Sequence, residues 1–459
     1  MSRPVARAAA VAASRLVCAG CGVVIEPGNP RPWRCPAATA GDDVDHVVVR
    51  ELGLSRLRFP PPGAGNPFVR FRAFLHSYHL ALEGGLGEAG YLERVDTLDR
   101  AVAAVDGHGF GLTPFERSAG LSTALGFAET GGVWVKDETG NVAGSHKARH
   151  LMGIAITLEV IEALARGRGE SGERPGLAIA SCGNAALAAA VVARAAQRSL
   201  EVFIPSDAEP GVVARLQSLG AAFAVCPREG AGHGDPCVDR FRAAVAAGRI
   251  PFTCQGNENG LAIEGGQTLG YELASTLAAA RQPLERLFIQ IGGGALASAT
   301  IQALREAVAL GVLPRLPRIH AVQTRAAHPL VRAWERLEQW TAHHPGPDAA
   351  REALRHAATH RSEFMWPWET QPRSIARGIL DDETYDWLAV LRGMIESGGA
   401  PVLASEEALA EAHALARSST GIPVCATGSA GLAGLIALRR SGEVAPGETV
   451  AVVFTGVER

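Results

Sequence analysis

Lysine is almost missing from this chain. Of 44 basic residues in 459, only Lys136 and Lys147 are lysines; arginine supplies the rest. Positive charge as such has been left to a side chain that does not lose its proton in proteins. Long apolar runs are missing too: stretches such as Leu187–Ala193 fall far short of the roughly 20 residues that cross a bilayer. No basic patch and no interleaving of aromatic with basic residues marks a nucleic-acid surface, and a net charge of −3 argues against a polyanion as main partner. Acidic residues are absent from Met1–Val17, an Ala-rich segment with Arg3, Arg7 and Arg15. The arginines interrupt any apolar signal core, so a disordered tail on a cytoplasmic protein is expected.

What is present describes a globular chain: 47% hydrophobic and 20% charged residues over a length suited to two or three domains. The eight cysteines do not form a disulfide framework. Cys182, Cys226, Cys237, Cys254 and Cys425 are scattered, as in a reducing compartment. The other three stand in Cys18-Ala-Gly-Cys21-Gly and Arg34-Cys35-Pro36, the start of one half of a zinc ribbon. Four ligands are required and a fourth cysteine is absent. His46 could substitute; a ribbon that keeps its fold without metal is the expectation, with zinc as the alternative.

From Val133 onward, short apolar runs alternate with longer amphipathic ones. The strand candidates are Val133–Lys136, Leu177–Ala180, Leu200–Ile204, Ala222–Val225, Leu287–Ile291, Arg318–Val322 and Thr449–Phe454. Between them, His146–Ala165, Asn184–Gln197, Gly211–Leu219, Cys237–Ala247, Gly265–Ala279 and Leu296–Leu310 read as helices. This alternation predicts an α/β fold with open, twisted, mainly parallel sheets covered by helices. Ala342–Ala358, polar and rich in His and Arg, reads as an exposed insertion.

Three turns stand at strand-to-helix junctions, where open α/β sheets bind ligands. The first, Asp137–His146, lies between the two lysines. A lysine amine, unlike a guanidinium, can form an imine with a carbonyl. The second is Ser181-Cys182-Gly183-Asn184-Ala185; the third is Gly292-Gly293-Gly294-Ala295-Leu296, where bare backbone meets a helix N-terminus suited to an anion. The third glycine of a dinucleotide fingerprint and a Walker-type Gly-Lys-Ser/Thr are both absent. A reactive lysine beside a phosphate cradle points to a phosphorylated aldehyde cofactor, and pyridoxal phosphate fits that description.

Asn141-Val142-Ala143-Gly144-Ser145-His146-Lys147 resembles the Asn-x-x-Gly-Ser-Phe-Lys segment of fold-type II pyridoxal-phosphate enzymes, the tryptophan synthase β-subunit superfamily. Ser181–Asn184 is similar to that superfamily's Ser-x-Gly-Asn loop, the triglycine to its phosphate loop, and Thr427-Gly428-Ser429-Ala430-Gly431 to its C-terminal turn. Within it, the ribbon-like start, Asn66–Arg72, Glu264-Gly265-Gly266-Gln267-Thr268, Tyr271-Glu272, Gln323 and His328-Pro329 resemble threonine synthases. Ala148-Arg149 after the lysine follows dehydratases instead, His146 replaces the usual Phe, and Cys182 stands where Ser or Ala is common.

The resemblance implies a role for each residue. Lys147 would hold the cofactor and shuttle the α-proton. Asn184 would bond the ring oxygen, and Ser181, Cys182 and Gly183 would hold the substrate carboxylate. Gly292, Gly293, Gly294, Ala295 and Leu296 would surround the phosphate, with Thr427 at the pyridine nitrogen. Alternatives stay open: Ser181 and Asn184 as a helix cap, His146 on the phosphate or simply packed, Cys182 as apolar filler, Lys136 on a substrate anion or facing solvent. The implied organisation is a tail and ribbon (1–50), a large domain in two parts (51–168 and 261–459) and a small mobile domain (169–260), as a homodimer. The implied reaction is γ-elimination and hydration of O-phosphohomoserine, or β-elimination or replacement on serine, threonine or an activated serine. A cofactor-binding relative without activity is the reading from another class.

Overall fold

The computed structural model describes residues 13–170, 172, 174–227 and 235–459. Its strands, in chain order, begin with β1 (Ser14–Cys18), β2 (Val24–Ile25) and β3 (Val48–Leu52), a small antiparallel sheet ordered β2-β1-β3. The expected tail therefore reaches no further than residues 1–12, which lie outside the described residues, because Ser14, Leu16, Val17 and Cys18 are buried against their neighbours. Next come β4 (Phe115–Ser118) and β5 (Gly132–Asp137), then β6 (Leu177–Ala180), β7 (Leu200–Pro205), β8 (Ala222–Cys226) and β9 (Ile250–Pro251). The chain closes with β10 (Arg286–Gln290), β11 (Arg318–Thr324), β12 (Val402–Ala404) and β13 (Thr449–Phe454).

Six strands form one sheet, β12-β11-β10-β13-β5-β4, parallel except for the antiparallel edge strand β4. Alternation explains why both faces are dry. Leu287, Ile289, Ala451 and Val453 join one apolar cluster with the helix Ala262–Ala280. Phe288, Val450, Val452 and Phe454 join another with the helices Glu406–Thr420 and Ala426–Arg440. A strand with every side chain buried, such as Thr449–Phe454, reads as a continuous apolar run for this reason. The second sheet, β8-β7-β6-β9, is wholly parallel and lies between residues 177 and 251.

The helix Lys147–Gly167 is buried along most of its length and crosses the helix Ala262–Ala280 at glycine. A Cβ on Gly153 would stand 2.7 Å from the Gly265 Cα, and one on Gly266 would strike the His150 ring. Glu264, just before this pair, accepts the His76 N–H at 2.6 Å and the Ser77 hydroxyl at 3.1 Å, capping another helix. The polar stretch 342–358 is not the exposed insertion expected. Its helix, Ala349–Thr359, buries Ala353, Leu354, Ala357 and Ala358 in the large core. Among the described residues, no helix is long and apolar enough to cross a membrane.

Candidate active site

The turns after β5, β6 and β10 carry the residues singled out in the sequence, at the carboxyl ends of strands. After β5 the backbone twists sharply: Ala143 (φ 53°) and Gly144 (φ 63°) are both left-handed. An alanine there is strained, and the surroundings enforce it. The Asp106 carboxylate accepts the Ala143 N–H at 2.8 Å, and the chain's end zips against the same turn. The His146 N–H donates to the Thr455 carbonyl at 3.1 Å and the Val457 N–H to the Gly144 carbonyl at 2.9 Å. Lys147 then opens its helix, half-buried.

The two lysines have opposite surroundings. Lys136 is fully buried, donating to the Glu272 carboxylate at 2.5 Å and to the Thr113 carbonyl at 2.8 Å. Arg149 joins it, bonding Glu138 at 2.8 Å and Glu272 at 2.6 Å. Burial alone would raise the Glu272 carboxyl, but Arg149 and Lys136 outweigh it and hold that group ionised. Lys136 neither faces solvent nor offers a free cation to a substrate; that expectation is corrected by the two carboxylates that enclose it. Lys147 makes no ion pair among the described residues. Its charge nonetheless acts on Asp381, Asp386, Cys254, His146 and His150, which places those groups around it.

The triglycine turn is roofed by a segment the sequence reading did not single out. The Thr384 hydroxyl donates to the Gly292 carbonyl at 3.0 Å, and the Asp386 N–H to the Gly293 carbonyl at 3.0 Å. A Cβ on Gly292 would collide with the Asp381 carboxylate, and one on Gly293 would stand 2.7 Å from the Tyr385 ring. Burial pushes Asp381 up to about 6, against the Lys147 charge and a hydrogen bond from the Gly293 backbone. Asp386 is pushed up to about 7 by burial. The Gly293 backbone thus faces the Asp381 carboxyl just before the helix Ala295–Ala309, whose N-terminus is suited to an anion. The same roof reaches Thr427, whose hydroxyl accepts the Gly378 N–H at 3.0 Å.

In the β6 turn, Ser181 accepts the Gly183 N–H at 3.4 Å. Asn184 does not cap the helix it begins; its Oδ1 accepts from the guanidinium of Arg459, which also donates to the Ala143 carbonyl at 2.5 Å. Cys182 is exposed, which argues against its alternative reading as an apolar filler. His146 is buried, its Nδ1 3.1 Å from the Thr455 carbonyl, and burial drives its pKa well below 6.5, leaving it neutral. Open space faces Gly183, and the buried Ser145 hydroxyl, two residues before Lys147, has no partner. A bare anion cradle, a half-buried amine and an orphaned hydroxyl fit an aldehyde cofactor that carries a phosphate.

The model of the family described as pyridoxal-phosphate dependent enzyme matches residues 108–456. The chain belongs to this family. Its curated relatives include the threonine synthases of Mycobacterium tuberculosis (strain ATCC 25618 / H37Rv), 26% identical over 75% of this chain and 81% of that protein, and of Methanosarcina acetivorans, 27% identical over 75% and 74%. Among solved structures, a threonine deaminase from T.th. superposes with a TM-score of 0.55 at 22% identity, covering 80% of this chain and 98% of that one. Maize serine racemase superposes with a TM-score of 0.54 at 16% identity, covering 80% and 93%. These likenesses share the fold-type II arrangement of helices over parallel sheets.

Asp381, Tyr385, Asp386, Cys254 and Arg459 were not legible as site residues. The first three lie on irregular backbone between Ile379 and Trp387, where no period marks a buried face. A signal was nonetheless present: Asp381-Asp382-Glu383 beside a tyrosine is unusual in a segment that also holds Ile379 and Trp387.

Proposed function

We propose that this pyridoxal-phosphate dependent enzyme eliminates or replaces a substituent on the side chain of an amino acid. One observation carries the reading. Lys147 is the chain's one lysine outside an ion network, and Thr427, with a neutral hydroxyl that accepts the Gly378 N–H, lies in a turn that resembles the one at the pyridine nitrogen of fold-type II enzymes. When bound, pyridoxal phosphate supplies an aldehyde and an electron sink that acidifies the α-carbon. The protein supplies the rest. The triglycine amides take the phosphate where the Asp381 carboxylate now lies. The Lys147 amine takes the α-proton and returns it, and Asn184 turns from Arg459 to the cofactor's ring oxygen. Ser181, Cys182 and Gly183 hold the substrate carboxylate, and movement of the residue 169–260 unit toward the large sheet excludes water. A carboxylate in place of Thr427 would keep the pyridine nitrogen protonated, which suits transamination; a hydroxyl suits loss of a β- or γ-substituent.

Threonine-synthase-like γ-elimination and hydration of O-phosphohomoserine is the first substrate reading, supported by the curated relatives and by the ribbon-like start. A β-eliminating reaction on serine or threonine is favoured by a different observation. Ala148-Arg149 after Lys147 follows the dehydratase pattern, and a threonine deaminase is among the solved structures with this fold. An absorption titration of the cofactor-loaded protein decides between them. A band shift with O-phosphohomoserine alone, with phosphate release, supports the γ-reaction. A shift with serine or threonine and none with O-phosphohomoserine transfers the assignment to β-elimination. No shift with any of the three would sink both. Cytoplasmic residence and a homodimer belong to the same reading, the first supported by eight free cysteines. Zinc at the N-terminal cysteines would be a structural companion to the cofactor and take no part in its chemistry.

A further inference from the structure

The structure supplies the fourth ligand that the cysteine pattern lacks. Cys18, Cys21, Cys35 and His46 bring one ligand atom each to within 4.8 Å of all the others. Cys18 Sγ lies 3.3 Å from His46 Nδ1, and Cys21 Sγ lies 3.6 Å from Cys35 Sγ. A tetrahedral zinc with bonds of about 2.3 Å to sulfur and about 2.0 Å to nitrogen spaces its ligand atoms roughly 3.5–3.8 Å apart. The backbone is shaped to match. β1 ends at Cys18, the Gly22 N–H donates to the Cys18 carbonyl at 2.9 Å, and Gly22 is left-handed (φ 77°), so the turn aims two sulfurs the same way. Gly20 must be bare, because a Cβ there would strike the Asp45 carbonyl.

An independent feature points to a metal. The far nitrogen of the same imidazole, Nε2, lies 3.3 Å from the Asp42 carboxylate. That carboxylate is fixed by the Thr39 N–H at 2.7 Å and hydroxyl at 2.8 Å. A carboxylate on one ring nitrogen sets the tautomer and leaves the other with its lone pair toward the thiols, the arrangement found behind metal-bound histidine.

We propose that Cys18, Cys21, Cys35 and His46 form a closed structural zinc site, with Asp42 orienting the histidine, and that the site holds the roof of the phosphate cradle in place. On binding, each of the three thiols gives its proton to solvent, the histidine binds neutral, and zinc remains divalent. The mechanical link runs through the residue next to His46. Asp45 is buried, accepts the Trp387 indole N–H at 3.2 Å and pairs with Arg361 at 3.3 Å. Asp43 accepts the Ser362 N–H at 2.7 Å. Trp387 directly follows Asp386, whose N–H holds the Gly293 carbonyl. The zinc site stands without the pyridoxal phosphate reading; the second half of the proposal rests on it.

The test uses the full chain, purified from zinc-supplemented medium under reducing conditions. Elemental analysis should find one zinc per chain, lost in His46→Ala and in Cys21→Ser. Asp42→Asn should weaken the metal about 10- to 100-fold without abolishing it. Cobalt(II) added to the zinc-free protein should give intense tetrahedral d–d bands and thiolate charge-transfer absorption, a readout that depends on no variant folding. A chain without zinc and without those cobalt bands overturns the site. So does zinc retained equally by both ligand variants, or a Cys21–Cys35 disulfide in the protein as purified. Chelation should then lower pyridoxal phosphate affinity, read by fluorescence titration; an unchanged affinity on loss of zinc overturns the link to the roof.

Discussion

Lys136 and Lys147 are one residue type, eleven positions apart, in opposite electrostatic surroundings. Around Lys136, two cations and two carboxylates are buried together and each charge is answered, with Arg149 reaching Glu138 and Glu272 at once. Around Lys147 the burial is partial and the nearby acids, Asp381 and Asp386, are carboxyls that burial pushes toward neutrality. The first lysine is sealed from solvent and held by the Glu272 carboxylate and the Thr113 carbonyl. The second has no partner to hold it, so its amine is available. A reactive site is distinguished here less by the residue than by the absence of what would satisfy it.

The comparison can be broken from either side. Lys147→Ala should leave the fold intact, abolish the borohydride-reducible cofactor adduct seen by mass spectrometry, and lower turnover about 10³-fold. Lys136 should show the reverse: Glu272→Ala, which strands Lys136 and Arg149, should cost about 3–5 kcal/mol in denaturant unfolding. Retention of the adduct in that variant would complete the contrast.

The acids offer a finer test through pH. Their folded values of about 6 and about 7 lie above the ordinary 3.8, so the native state keeps protons that the unfolded chain has released. The stability they contribute is whole below pH 4 and drains away as pH rises through 6 and 7. Asp386→Asn should flatten that decline by roughly 1–3 kcal/mol between pH 4 and pH 8, measured by denaturant titration. If the decline is as steep in the variant, Asp386 is not the group responsible. The smallest effect belongs to Asn184→Ala, which removes one hydrogen bond and should weaken the cofactor by up to about tenfold.

Where local pattern decides structure, the chain was readable. Leu177–Ala180 and Thr449–Phe454 coincide with their predicted bounds because an apolar run in a parallel sheet is bounded by polar turns on both sides. The edge strands were not legible: Phe115–Ser118 is short and mostly polar, and Val402–Ala404 is only three residues long. The turns of the site were legible because a rare residue, or three glycines together, marks them. His46 beside Cys18 was within reach of the cysteine pattern, whereas the ion network of Lys136 and the roof of Asp381–Asp386 were hidden for one reason: both join residues far apart in sequence. Glu272 lies 136 positions from Lys136, and nothing near either names the other.

Two amine side chains in the entire chain have a practical consequence. One is sealed from solvent and the other is half-buried, so the folded surface offers amine-reactive reagents no lysine besides Lys147. Acylation in the native state would label the chain's terminal amine and this lysine alone. A cofactor aldehyde on Lys147 would shield it, so the label count would measure occupancy directly. A lysine-specific protease would spare the native protein at Lys136 and cut the denatured one at only two places.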